Sequence, residues 1–217
     1  MIIMIIINGA TGSGKSSIVR ELIKIGYEVI PTYSTRPKRP DDFDTIHVDL
    51  VKVNQMMNEL RVLSQISYQA KFGYCKYFLL EKSFKTDLSN KVIIGNAQFT
   101  PDIEEYMRKK CEPLFRVCLD VPDKVILNRD MQKLEKKKSL IDKIIDFFKY
   151  NKEPEMPPEV LDRMDRLERD KMVIEKFKRD CDLLIAGKIM IKYSPLILAS
   201  YIDTNYHKFL ESLWKTL

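Results

Sequence analysis

Residues 9–16 read Gly9-Ala10-Thr11-Gly12-Ser13-Gly14-Lys15-Ser16 and match the phosphate-loop pattern G-x-x-x-x-G-K-[S/T] at every fixed position. An unbroken apolar run, residues 1–7, precedes the loop and is typical of a strand that is buried on both faces. Residues 17–25 place apolar side chains at helical spacing, and Gly26 is suited to end that helix. The order strand, glycine loop, helix predicts a nucleotide-binding α/β fold.

The residue types of this loop suit the binding of phosphate groups. Glycines allow the backbone to turn consecutive N–H groups toward phosphate oxygens, and the next helix directs its positive end at the same anion. Lys15 would reach the terminal phosphates, and the Ser16 hydroxyl would ligate Mg²⁺ held by the nucleotide. The alternative is a glycine-rich turn without a ligand. The residues expected to bind the phosphates of ATP are Gly9, Thr11, Gly12, Ser13, Gly14, Lys15, Ser16 and Ser17.

Length, charge and cysteine usage limit the number of domains, the kind of ligand and the cellular compartment. A chain of 217 residues suits one elaborated domain, and a net charge of +6 suits small anionic substrates as well as nucleic acid. The four cysteines form no C-x-x-C pair and have no histidine at metal-ligand spacing, which predicts free, buried thiols in a reducing compartment. Residues 1–7 lack the basic start of a signal peptide, and no later stretch is long enough to span a membrane. We therefore expect a cytoplasmic protein.

A second motif follows the predicted strand 27–32. Residues 33–42 read Tyr-Ser-Thr-Arg-Pro-Lys-Arg-Pro-Asp-Asp, and the two prolines hold this segment extended. Arg36 and Arg39 would then converge from a stiff loop, an arrangement in which planar guanidinium groups bind phosphate well. The alternative is a surface loop with solvated arginines.

The phosphate loop, followed by the Ser-Thr-Arg-Pro-x-Arg-Pro segment and an acidic residue, resembles guanylate kinases, whose second motif is T-T-R-x-x-R-x-G-E. The resemblance implies a P-loop NTPase fold of the α/β class, in which helices flank a parallel core sheet. It also implies transfer of the γ-phosphoryl group of MgATP to a nucleoside monophosphate. One domain is expected, with a core over 1–32, 91–128 and 180–217, an acceptor-binding subdomain over 33–90 and a helical lid over 129–179.

The same resemblance implies an acceptor site in which Arg36 and Arg39 hold the phosphate of the acceptor nucleotide. Amides replace family carboxylates elsewhere in this site, and because an amide both donates and accepts, the replacement bears on which base fits. GMP and dGMP are the favoured acceptors. The full set of implied acceptor-binding residues is Ser34, Thr35, Arg36, Arg39, Asp42, Gln65, Tyr74, Asn96 and Gln98, with Ser67 and Tyr77 as alternatives to Gln65 and Tyr74. His47 would contact an acceptor phosphate or be an ordinary surface histidine.

Three cations are implied as catalytic residues: Lys15, Arg129 and Arg166. For Arg166 the alternative is an exposed helix stabilised by ion pairs one turn apart, such as Asp162–Arg166. The lysines at 136–138 are typical of a solvated helix end, so nucleic acid is not the expected partner. A capping pattern at Ser139 predicts a helix over 139–148, whose apolar stripe would cover the core or a second subunit and so permits a homodimer.

Hydrophobic periodicity predicts the remaining elements. Helices are expected over 51–60, 101–110, 124–135, 159–179 and 206–217, and strands over 61–70, 74–80, 91–95, 114–121 and 181–186. Residues 188–202 receive no role. Two other functions fit the same motifs: a related small-molecule kinase with a sugar-phosphate acceptor, and a non-catalytic guanylate kinase-like module that binds protein partners.

Overall fold

The computed structural model describes residues 4–70, 73–85, 87–95, 98–137, 158–186 and 194–216. The described strands are β1 (Met4–Gly9), β2 (Glu28–Val29), β3 (Thr32–Ser34), β4 (Thr45–His47), β5 (Val62–Ala70), β6 (Gly73–Leu80), β7 (Lys91–Ile94), β8 (Leu114–Asp120) and β9 (Leu183–Ala186). The described α-helices are α1 (Lys15–Lys24), α2 (Leu50–Glu59), α3 (Thr100–Lys109), α4 (Asp123–Lys137), α5 (Pro158–Asp180) and α6 (Pro195–Thr216), and Glu81–Phe84 forms a 3₁₀ turn.

The core is a five-stranded parallel sheet in the order β2-β7-β1-β8-β9. The apolar run before the glycine loop forms the central strand β1, as predicted, and its side chains are buried on both faces. Ile5 and Ile7 pack with helices α1 and α6, whereas Met4 and Ile6 pack with α3. The predicted α/β class and the parallel core sheet flanked by helices are therefore confirmed.

A second, four-stranded sheet has the order β4-β3-β6-β5. The predicted hairpin forms its strands β5 and β6, and α2 begins where the Asp49 carboxylate accepts a hydrogen bond of 2.6 Å from the Lys52 amide. The single predicted strand over 27–32 is wrong, because Pro31 separates β2 in the core sheet from β3 in the second sheet. Strand β4, which pairs in parallel with β3, has no counterpart in the prediction.

The last helix is longer than the sequence pattern predicts. Helix α6 begins at Pro195, so part of the stretch that received no role is helical. Leu198, Ala199, Ile202 and Tyr206 are buried in the core cluster that also contains α1 residues. Leu196 and Ile197 beside them are about half exposed, at 53% and 52%. Consecutive apolar residues hide the helical period in this turn, which explains why a start near residue 206 is wrong.

Helix α5 joins the core from Leu167 onward. Leu167 and Phe177 are buried, and Ile174 packs against the same core. These residues fall within the lid predicted over 129–179, which stays a prediction. The helix predicted over 139–148 lies outside the described residues.

The thiols differ in their exposure. Cys75 and Cys118 are buried, as predicted, but Cys111 is exposed and Cys181 is half-buried. Burial raises the pKa of the Cys118 thiol to about 12. Within the described ranges, no helix is both long and apolar enough to cross a membrane, and no cluster of His, Cys, Asp and Glu side chains is suited to hold a metal ion.

Candidate active site

The phosphate loop lies at the carboxyl end of β1 and leads directly into α1. Gly9, Gly12 and Gly14 have φ angles of 143°, 90° and 103°, a region that residues with a Cβ rarely adopt. A Cβ at Gly9 would also lie 2.7 Å from the carbonyl oxygen of Leu119 in β8. The three glycines are therefore required by the backbone, and the loop has the curled form that the motif predicts.

Lys15 folds back over this loop. Its Nζ donates hydrogen bonds to the carbonyl oxygens of Gly9 (2.6 Å) and Ala10 (2.9 Å). Ser16 and Ser17 are exposed in the first turn of α1, at the positive end of the helix dipole. Thr11 is half-buried in the loop. The ammonium group, the helix end and two hydroxyls are thus collected at one end of β1, a setting that suits an anion with an associated cation.

Asn8 is a residue of this site that the sequence reasoning missed. It is fully buried, and its Oδ1 accepts a hydrogen bond of 2.8 Å from the Gly9 amide. Its Nδ2 donates a bond of 2.9 Å to Oγ1 of Thr100 in the first turn of α3. The available signal was a polar residue directly after the apolar run, at the carboxyl end of the predicted strand. Ser13 is also fully buried, and its Oγ has no hydrogen-bond partner among the residues that the structure describes.

Arg36 and Asp42 form a buried, bidentate ion pair in the arginine loop, residues 34–44. The Arg36 guanidinium donates to both carboxylate oxygens of Asp42, at 2.7 and 2.5 Å, and only 6% and 8% of the two side chains are exposed. The Arg39 amide donates a third bond, of 2.7 Å, to the same carboxylate. A charge pair of this geometry fixes the path of the loop as well as the direction of the guanidinium.

Electrostatics keep both partners of this pair charged. Burial favours the neutral form of Asp42, but the hydrogen bonds from Arg36 and from the Arg39 amide outweigh it, and the pKa of Asp42 lies well below its usual range. Burial also opposes the charge of Arg36, yet bonding to Asp42 leaves the pKa of Arg36 above its ordinary value. The Arg36 guanidinium also hydrogen-bonds to the Tyr77 hydroxyl oxygen.

Two of the predicted acceptor-binding hydroxyls hold the loop in place. Ser34 is fully buried, and its Oγ accepts a hydrogen bond of 3.2 Å from the Arg36 amide. Thr35 exchanges two bonds with Lys76 of β6: its amide donates to the Lys76 carbonyl at 3.0 Å, and its Oγ1 accepts from the Lys76 amide at 2.9 Å. The Arg39 side chain, by contrast, is exposed.

The sheet register decides which hairpin residues lie beside Arg36. Tyr77 pairs with Ser34, and Gln65 pairs with Phe78, which stacks on Tyr33 over helix α2. Since alternate residues of a strand point to opposite faces, Gln65 lies on the face away from Ser34 and Tyr77. Tyr77 is therefore the tyrosine at this site.

Of the remaining predicted acceptor-binding residues, the structure describes two. Tyr74 is 55% exposed in β6 and pairs with Gln69 near the hairpin turn. Gln98 is exposed just before α3. Asn96 lies outside the described residues. The structure thus brings Ser34, Thr35, Arg36 and Asp42 together, and it does not bring Gln65 to them.

The two predicted lid arginines lie on separate helices. Arg129 is half-buried on α4, which packs against α5. Arg166 belongs to α5 and immediately precedes the buried Leu167. The backbone position of Arg166 is described, but its side chain lies outside the description. Neither residue is placed against the phosphate loop by a described contact, so their catalytic roles stay predictions.

A direct contact joins helix α1 to the arginine loop. Arg20 of α1 donates a hydrogen bond of 2.5 Å to the backbone carbonyl of Asp41, and its guanidinium carbon lies 4.7 Å from the centre of the Phe43 ring. Phe43 itself packs against the core cluster that contains α1. The helix that starts at the phosphate loop therefore carries the arginine loop on its side. The sequence offered no signal for this contact, because Arg20 has the spacing of an ordinary solvated helix residue.

Comparison with known proteins bears on the fold. No protein-family model matches the chain, and no curated protein sequence matches it. Among solved structures, a crystal structure of guanylate kinase from Anaplasma phagocytophilum is similar, with a TM-score of 0.55 and 12% identity over 95% of this chain and 85% of that chain. The chain thus shares the α/β fold of this structure, with a parallel core sheet flanked by helices. At this identity the likeness extends to the fold and not to a particular activity.

Proposed function

We propose that the protein is a nucleoside monophosphate kinase, which transfers the γ-phosphoryl group of MgATP to a nucleoside or deoxynucleoside monophosphate, with GMP and dGMP as the favoured acceptors. The observation that carries this proposal is the contact of Arg20 with the arginine loop. It attaches a loop with two arginines to the helix that begins at Lys15. Phosphoryl transfer between two nucleotides requires a donor phosphate site and an acceptor phosphate site that are held near each other.

The proposed reaction requires no covalent step at a side chain of the protein. The phosphate of the acceptor is already a nucleophile, so catalysis rests on alignment of the two phosphates and on neutralising charge. Lys15 and the loop amides would stabilise the transferred group, with Arg129 and Arg166 as further proposed cations. Arg36 and Arg39 would hold the acceptor. Mg²⁺ bound with ATP would supply further charge neutralisation, and the exposed hydroxyl of Ser16 is the residue suited to ligate it.

Two movable parts are proposed around this centre. Residues 33–90 would form the subdomain that binds the acceptor, and residues 129–179 would form a lid. Closure of a lid excludes water, which would otherwise compete with the acceptor for the phosphoryl group.

A second function is favoured by one observation. Gln65, which would replace a base-reading carboxylate, lies on the face of the hairpin away from Arg36. A related kinase with a different phosphorylated acceptor, such as a sugar phosphate, would need the two arginines and would not need a base-reading residue on this strand.

The test measures ADP formation from MgATP with GMP, dGMP, AMP, CMP, UMP, dTMP and a sugar phosphate offered in turn. Two variants on the same helix are compared: Lys15→Ala, and Lys24→Ala as the matched control, because the Lys24 side chain is 68% exposed. We expect activity with a guanine nucleotide, a loss of roughly 100-fold or more in Lys15→Ala, and little change in Lys24→Ala. Activity with the sugar phosphate alone would support the second function. Binding of MgATP without turnover of any acceptor would contradict both.

A further inference from the structure

The His47 ring is held between two oxygen atoms. Its Nδ1 lies 2.8 Å from the backbone carbonyl oxygen of Arg36, and its Nε2 lies 2.9 Å from Oδ2 of Asp42. The side chain is largely buried, with 17% exposed. Rotating the ring by half a turn would place carbon atoms against both oxygens and lose both bonds, so this orientation is fixed by its surroundings.

Both neighbouring oxygens accept hydrogen bonds, which restricts the protonation of the ring. A neutral imidazole carries one N–H, so its second nitrogen would turn a lone pair toward a carbonyl or carboxylate oxygen. An imidazolium carries two N–H groups and satisfies both oxygens. We infer that His47 is held as an imidazolium that bridges the Arg36 carbonyl and the Asp42 carboxylate and so positions Arg36 for an acceptor phosphate. The part that concerns the acceptor rests on the proposed function.

The charge count explains what this bridge adds. Arg36 and Asp42 cancel each other at the centre of the site, and a neutral pair attracts a phosphate group weakly. An imidazolium on the far side of the same carboxylate adds one positive charge to the cluster. Loss of that proton would remove this charge and would break one of the two bonds that hold the loop. Acceptor binding should therefore weaken as the pH rises.

Arg36 and Asp42 contact His47 directly, Tyr77 on β6 hydrogen-bonds to Arg36, and Asp44 just before β4 interacts electrostatically with Arg36 and Asp42. Arg36 stays cationic and Asp42 anionic near neutral pH, because their pKa values move away from neutrality. Burial raises the pKa of Asp44, so Asp44 is the group whose titration needs a control. The variant Asp44→Asn removes it.

The first test reads the protonation of the ring directly. The chain has two histidines, and His207 on α6 is largely exposed, so the variant His207→Gln assigns the spectrum. At about neutral pH, long-range proton–nitrogen NMR spectra should show both ring nitrogens of His47 carrying protons. A bare ring nitrogen in His47 would overturn the inference, whatever substrate the protein uses.

The second test measures how the KM for the acceptor depends on pH. In the wild type the KM for GMP should rise between pH 6 and pH 9, roughly the range in which histidines titrate. His47→Gln keeps one donor but no titratable charge, so we expect its KM for GMP at pH 6 to be about tenfold higher, with a flat pH profile and an unchanged KM for ATP. Asp44→Asn should keep the wild-type profile. A His47→Gln profile that matches the wild type would overturn the positioning role.

The two tests separate the inference from the proposed function. A doubly protonated His47 in a protein that phosphorylates no nucleotide would contradict the proposed function and would leave the ion bridge intact. Turnover of GMP by a protein with a neutral His47 would have the opposite meaning.

Discussion

The Asp42 carboxylate accepts hydrogen bonds from both terminal nitrogens of the Arg36 guanidinium, and both side chains are more than nine-tenths buried. Removing either partner should destabilise the protein, because the remaining charge would stay buried and unpaired. The pair also carries the arginine loop that Arg20 attaches to the phosphate-loop helix. Its strength can therefore be measured both as stability and as acceptor binding.

Asp42→Asn should lower the free energy of unfolding by about 3 to 5 kcal/mol, the usual cost of breaking a buried charge pair. Asp41→Asn is the matched control next to it, since the Asp41 side chain is 75% exposed, and its effect should stay within about 0.5 kcal/mol. Urea denaturation at neutral pH measures both. Equal stabilities of the two variants would contradict the assignment of Asp42 as a buried ion-pair partner.

The same residue predicts how stability depends on pH. The pKa of Asp42 in the folded protein lies below its value in the unfolded chain, so the stabilisation is complete above about pH 4 and is lost as the pH falls further. Denaturation midpoints of the wild type should fall more steeply below about pH 4 than those of Asp42→Asn. Parallel curves for the two proteins would show that another group controls acid unfolding.

The two arginines of the loop should behave differently. Arg36 is buried, so Arg36→Ala should reduce both stability and acceptor affinity, whereas the exposed Arg39 contributes its side chain to solvent and to a ligand. Arg39→Ala should therefore raise the KM for the acceptor while leaving the denaturation midpoint almost unchanged. Kinetics at saturating ATP, together with urea curves, separate the two effects. An unchanged KM in Arg39→Ala would remove Arg39 from the acceptor site.

A pair of glycine variants tests the shape of the phosphate loop. Gly9 and Gly26 both have positive φ angles, but a Cβ at Gly9 would lie 2.7 Å from the Leu119 carbonyl oxygen, whereas a Cβ at Gly26 would meet nothing within 4 Å. Gly26→Ala should cost about 1 to 2 kcal/mol of backbone strain and keep ATP binding. Gly9→Ala should lose ATP binding in isothermal titration calorimetry. Equal ATP affinities would mean that the loop tolerates a side chain at its first glycine.

Local patterns predicted a large part of this structure. The glycine loop, its flanking strand and its helix depend on neighbouring residues, so the sequence is sufficient to predict them. The hairpin and the pairing of Arg36 with Arg39 in one stiff loop are local in the same sense, because the prolines limit the backbone there. These elements are also the ones that carry the fold class.

The missed features depend on contacts between distant parts of the chain. Asn8 meets Thr100 and Arg20 meets Asp41, and no spacing rule links residues so far apart. The choice between Tyr74 and Tyr77 depends on strand register, which a sequence pattern fixes only to within a residue or two. Strand β4 has three residues and forms only because β3 lies beside it.

Transfer of the γ-phosphoryl group to GMP is tested most directly by following the phosphorus atom itself. The wild type and Lys15→Ala are incubated with GMP and with ATP that carries radioactive phosphorus in the γ position, and the products are separated by thin-layer chromatography. We expect the wild type to move the label into GDP, and Lys15→Ala to do so at a rate lower by roughly 100-fold or more. Label that appears only in inorganic phosphate, at the same rate with and without each monophosphate, would contradict a kinase with a nucleotide acceptor.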